Sequence, residues 1–173
     1  MLPHPCPRRS TDLMSSTPPN TTARLVVRPA LAEALARAGV ADEPQAAAVV
    51  YDPFTSHLAS WADVESALTR AFRLAADAKR EAAPIVFVVD GAAVYGHTGP
   101  LLAMLANGLL GAMRNQAVEG QRKGISAYAV TASSAPDADL APVARAVAWA
   151  LSGAPSSGQV LYGDDPHIGR PAA

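Results

Sequence analysis

The sequence predicts an α/β protein: a doubly wound parallel sheet with helices on both faces. Three observations carry this. Residues 85–89 (IVFVV) form an unbroken apolar, β-branched run, the pattern of a strand buried on both faces. A long Leu/Ala/Met-rich segment over 100–122 follows, and then a second strand pattern over 125–130. Strand, helix and strand at this spacing make a right-handed parallel crossover. Half of the 173 residues are apolar and few are aromatic, which fits one domain with a core of Ala, Leu and Val.

Residues 1–22 are rich in Pro, Ser and Thr and read as a disordered extension to a single domain over 23–173. Arg8-Arg9 lacks the apolar segment that a translocation signal needs, and Met14 is an alternative start. His4 and Cys6 are too few ligands for a metal, so no metal site is expected. A strand is predicted over 24–27. A helix over 29–38 follows, with Leu31, Leu35 and Ala38 on one face and Gly39 closing it. Residues 46–51 form the next strand.

Ser60, with Asp63 three residues on, caps the following helix. Its stripe is Trp61, Val64, Leu68, Ala71, Phe72 and Ala75. After the central strand, residues 90–99 carry three glycines and read as a loop, and Pro100 suits a first helical turn. Leu101, Leu102, Leu105, Leu109, Leu110 and Met113 cover more than one face of that helix, so it needs a second partner besides its own sheet. Lys123-Gly124 ends it. A loop over 132–139, a helix over 140–151 and a strand over 157–162 complete the domain.

Fourteen Lys and Arg against fifteen Asp and Glu give a net charge of −1 with no basic run, which argues against a nucleic-acid partner. No apolar run is long enough to cross a bilayer, so no membrane role is expected. A single cysteine excludes an internal disulfide and fits a reducing cytoplasm. Neither Gly-x-Ser-x-Gly nor His-x-x-x-His is present, so no hydrolase motif stands in the chain.

The stretches IVFVVDGAAVYGHTG, GLLGAMRNQAVEGQRKGI and AYAV, with PALAEALARAGV before them and SGQVLY after, resemble the short-chain dehydrogenase/reductase family in its 3-oxoacyl-carrier-protein reductase-like members. The resemblance implies a Rossmann-like fold, shortened here in the N-terminal, nucleotide-binding half. The family's intervening strands and helices are expected to be absent between Gly39 and Ala46.

The resemblance also implies a catalytic Ser, Tyr and Lys. Their positions are held by Asp90, Ala103 and Asn107, which cannot supply an acid/base phenol, a pKa-lowering ammonium or a polarising hydroxyl. The family's Pro-Gly turn is Ala132-Ser133. Its glycine-rich phosphate turn is Val26-Val27-Arg28-Pro29, with no glycine. No cofactor is therefore expected. Asp90, Tyr95 and His97 remain as a residual cleft.

The features retained are those of core and interface. Interface residues are expected at Trp61, Val64, Leu68, Phe72, Leu105, Leu109, Met113, Leu161 and Tyr162. The leading expectation is a catalytically inactive subunit. Its partner would be an active short-chain dehydrogenase/reductase of the 3-oxoacyl or 3-hydroxyacyl thioester type, in a hetero-oligomer. A homodimer or tetramer is the other arrangement. The alternatives are a divergent NAD(P)-dependent oxidoreductase with a relocated site, or a ligand-binding scaffold.

Overall fold

Six strands, β1 (Thr21–Val26), β2 (Val40–Asp42), β3 (Val49–Tyr51), β4 (Ile85–Asp90), β5 (Ala127–Ala132) and β6 (Gln159–Tyr162), lie in one sheet in the order β2-β1-β3-β4-β5-β6. Every pairing is parallel. The computed structural model describes residues 21–55, 58–135, 137–153 and 156–164. The expectations for His4, Cys6, Arg8-Arg9 and Met14 lie outside these residues.

All six residues of β4 and all six of β5 are buried, as strands covered on both faces must be. Alternate residues serve two cores. Ile85, Phe87, Val89, Ala127 and Ala129 pack under α2 (Trp61–Arg80) and α4 (Pro100–Gly120). Val86, Val88, Tyr128 and Val130 pack under α1 (Pro29–Arg37) and α5 (Ala141–Leu151). The doubly wound architecture with helices on both faces is thus present. The Tyr128 ring meets Trp149 of α5 edge-on, with ring centroids 6.0 Å apart.

Ser60 caps α2 in a full capping box with Asp63. Gly108 and Gly111 each cost α4 about 1 kcal/mol of helix propensity. Full burial of Leu105, Leu109 and Met113 contributes about 1.5–3 kcal/mol apiece, so packing outweighs propensity. Gly108 also has a packing reason: a Cβ there would stand 2.7 Å from Leu68 Cδ2 on α2. The buried Gln116 amide donates to the Ala75 carbonyl at 3.0 Å and ties the two helices together. Beyond α4, a 3-10 turn over Gln121–Lys123 ends on Gly124, whose φ of 68° is left-handed.

Four features differ from the sequence reading. The strand β1 begins at Thr21, inside the segment expected to be an extension. A strand does lie between Gly39 and Ala46: β2, whose short pattern Val-Ala-Asp buries only Val40 and leaves too little periodicity to read. It pairs with Thr21 to Ala23, on one side of β1. From Arg24 onward β1 pairs on its other side with β3. Because the one strand ends where the other begins, residues 43–48 cross β1 without the helix that a parallel connection ordinarily needs.

The third difference is a four-residue helix, α3 (Gly91–Val94), inside the predicted loop. Asp90 caps it, its Oδ1 accepting from the Ala93 N–H at 2.7 Å. The fourth concerns the expected interface. Val64, Leu105, Leu109 and Met113 are buried against the chain's own sheet and have no surface to offer a partner. Trp61 and Phe72 are exposed, at 59% and 70%, and Met104 and Val118 of α4 are exposed as well. Leu68 and Leu161 are partly buried, whereas Tyr162 is exposed. Hydrophobicity alone does not separate the inner stripe of such helices from the outer one.

Candidate functional site

In an open parallel sheet, ligands bind outside the carboxyl ends of the strands, where the strand order reverses. Here that point lies between β1, which leads through α1 to β2 on one side, and β3 on the other. The residues at these ends decide what the crevice can hold.

Arg28 follows β1 and stands at the N-cap of α1, with Pro29 in the first turn. Its side chain turns over the strand ends. Nη2 donates to the Ser133 carbonyl, beyond β5, at 3.0 Å. Nε lies 3.2 Å from Oδ2 of Asp52, beyond β3. The guanidinium sits 5.4 Å from the centre of the Phe54 ring. The contact with Asp52 is an ion pair rather than a hydrogen bond, because neither Nε nor Oδ2 has an aligned partner among the described residues.

Asp52 is fully buried, and its Oδ1 accepts from the Phe54 N–H at 3.0 Å. Burial pushes its carboxyl above the ordinary aspartate value, and the Arg28 charge and the Phe54 N–H oppose that shift. A dinucleotide pyrophosphate at this point needs free backbone amides and room for close approach. Pro29 has no N–H, no glycine stands in the turn, and Arg28 spans the strand ends. These residues do not fit the group.

Further along the edge lies a cleft of about 490 Å³ lined by Asp90, Tyr95, His97, Thr98, Tyr162 and Asp164, among others. Asp90, Tyr95 and His97 thus line one cleft. Asp90 is buried at the end of β4. Besides capping α3, it accepts from the Ser134 N–H through Oδ2 at 3.2 Å, tying the loops after β4 and β5 together.

Tyr95 donates to the Tyr162 hydroxyl at 2.9 Å. That hydrogen bond, with lesser help from burial and from the Asp164 charge, pushes the Tyr95 phenol up to about 12. A phenol so held keeps its proton at neutral pH and is a poor general base. The rings of Tyr95 and His97 are 6.4 Å apart.

Ala103 and Asn107 do not line the cleft. Asn107 bonds back along its own helix, its Nδ2 donating to the Ala103 carbonyl at 2.8 Å. Of the three positions the resemblance aligns with catalysis, only Asp90 reaches the cleft, and it is engaged in structural bonds.

The sequence reading did not single out Asp52 or Asp164 as site residues. The first had a faint signal, an aspartate before proline at the end of an apolar run. The second had none, since its place depends on a contact across the sheet. Asp164 accepts from the Thr131 hydroxyl of β5, and its other carboxylate oxygen lies against Gly91. A Cβ at Gly91 would stand 2.1 Å from that oxygen, so glycine there makes room for the carboxylate.

No protein-family model and no curated protein matches the sequence. Solved structures match the fold. A short chain dehydrogenase from Mycobacterium smegmatis is similar at a TM-score of 0.64 and 14% identity, over 88% of this chain and 95% of that one. An enoyl-(acyl-carrier-protein) reductase from Anaplasma phagocytophilum, solved in complex with NAD, is similar at 0.62 and 10% identity, over 86% and 94%. The fold of this chain is that of short-chain dehydrogenase/reductase proteins, reached with little shared sequence. Among the described residues no helix is long and apolar enough to cross a membrane.

Proposed function

We propose that this chain is a non-catalytic subunit with a reductase fold. It pairs in the cytoplasm with an active short-chain dehydrogenase/reductase that works on a 3-oxoacyl or 3-hydroxyacyl thioester. The observation that carries the reading is Arg28. In place of a glycine turn that receives a phosphate, the chain has a side chain bound to Asp52 and Ser133.

The positions Asp90, Ala103 and Asn107 support the same reading, since none of them can relay a proton to a carbonyl as a Tyr–Lys pair does. Pairing rests on Trp61, Phe72, Met104 and Val118, large apolar side chains that α2 and α4 leave exposed.

The cofactor half of the proposal is tested by melting the purified chain with NAD, NADH, NADP and NADPH in turn. A ligand present at a hundred times its Kd stabilises a fold by about 2.7 kcal/mol, which a melting curve resolves easily. No upward shift is expected with any of the four. A shift with one of them would instead favour the divergent oxidoreductase.

A further inference from the structure

The polar cleft does not end at Ser134. On the other side of that residue a second hollow, of about 510 Å³, is lined by Phe54, Leu58, Gly99, Pro100, Leu101 and Leu102. Ser134 lines both, so the two adjoin at that residue, with unlike character on either side. Among the described residues that line it, the apolar end carries no charge.

The polar end holds the carboxylates of Asp90 and Asp164 and the imidazole of His97, and among the described residues no Lys or Arg lines either end. The Arg28 guanidinium, beyond β1, is committed to Asp52, Ser133 and Phe54. A carboxylate has about four lone-pair sites, so the single donors on each oxygen of Asp90, and on one oxygen of Asp164, leave acceptor capacity at both. The exposed rings of Tyr95 and Tyr162 stand beside them and offer faces to a cation. Thr98 belongs to the same wall. Its Oγ1 is buried in the cleft wall and has no hydrogen-bond partner among the described residues, a condition that native structures rarely leave to the protein alone.

We infer that the two adjoining hollows bind a small amphiphilic amine, with the ammonium group at Asp164 and Asp90 beside the two tyrosines and the hydrocarbon tail along Phe54, Leu58 and Leu102. An acyl carboxylate or a phosphate would meet two like charges and no cation. A neutral alcohol would fill the apolar end but leave the acidic end without its counter-charge. This inference does not depend on the subunit role, since it uses neither the α2 and α4 surface nor a cofactor.

The test is titration of the full-length chain with n-hexylamine, n-hexanol and hexanoate, followed by backbone-amide NMR. The amine is expected to bind best and to move the amides of Gly91, Ser134 and Leu102. Asp164→Asn is expected to weaken amine binding about tenfold while leaving hexanol unchanged, the loss of one charge-assisted contact. Leu102→Ala, which leaves both carboxylates in place, is expected to weaken hexylamine a few fold and ethylamine not at all, and it decides the matter if the Asp164 variant does not fold. Hexanoate binding as tightly as the amine, no amine binding, or amide shifts confined to other surfaces would each overturn the inference.

Discussion

Replacing Arg28 with Met is expected to lower the stability of the chain by about 3–5 kcal/mol, because it strips a fully buried carboxylate of its counter-charge. Asp52 has no solvent to fall back on, and its remaining support comes from backbone N–H groups, that of Phe54 among them. The loss should depend on pH in a definite direction. Burial already raises the Asp52 carboxyl, so the folded chain holds that proton more tightly than the unfolded chain does. Stability from this site is then fully present below the ordinary aspartate value and falls as the pH rises from there through the raised folded value.

Without Arg28 the folded value rises further. The penalty for Arg28→Met should therefore be small near pH 4 and larger at about pH 7. Urea unfolding of both proteins at the two pH values measures it. Adding Asp52→Asn to Arg28→Met should recover a large part of the loss, since no charge is then left buried. A loss independent of pH and not relieved by the second substitution would mean that Arg28 acts only through packing and its bond to Ser133.

Gly163→Ala is expected to cost about 1–3 kcal/mol, the usual cost of forcing a methyl group into a filled space. Gly163 follows β6, where a Cβ would stand 2.7 Å from the Thr131 carbonyl and 2.8 Å from Val143 Cα. Both obstacles are backbone, so no rotamer change relieves them, and β6 has to move away from β5 and α5. That shift carries Tyr162 and Asp164 with it and should spoil the Tyr95–Tyr162 bond together with the Thr131–Asp164 bond. Amide shifts at Gly91 and Ser134, far from residue 163 in sequence, would report the damage to the cleft. Unfolding midpoints would report the stability. A variant as stable as the parent would show that the end of β6 is free to adjust.

The architecture was legible where burial writes a continuous pattern. The run from Ile85 to Val89, the cap at Ser60 and the glycine stop at Gly124 each have a local physical cause, and each stands as expected. What could not be read was decided by distant partners. Val-Ala-Asp becomes β2 only because β1 has a free side over Thr21 to Ala23. The turn at Asp90 becomes α3 because that side chain caps it.

Arg28 shows the same limit at the site. Its sequence position marked the missing glycine turn, but its partners Asp52 and Ser133 lie 24 and 105 residues away, and only the folded sheet edge brings them together. Apolar residues on α2 and α4 read alike in sequence whether they face the sheet, as Leu109 does, or solvent, as Phe72 does.

The measurement that bears most directly on the subunit role is affinity capture of the tagged chain from its own cells, followed by native mass spectrometry of the intact assembly. The result expected is a full-length short-chain dehydrogenase/reductase bound at fixed stoichiometry, lost when Phe72 and Trp61 are replaced with charged residues. A homo-oligomer carrying NAD or NADP would contradict the role and return attention to Asp90, Tyr95 and His97 as a working site.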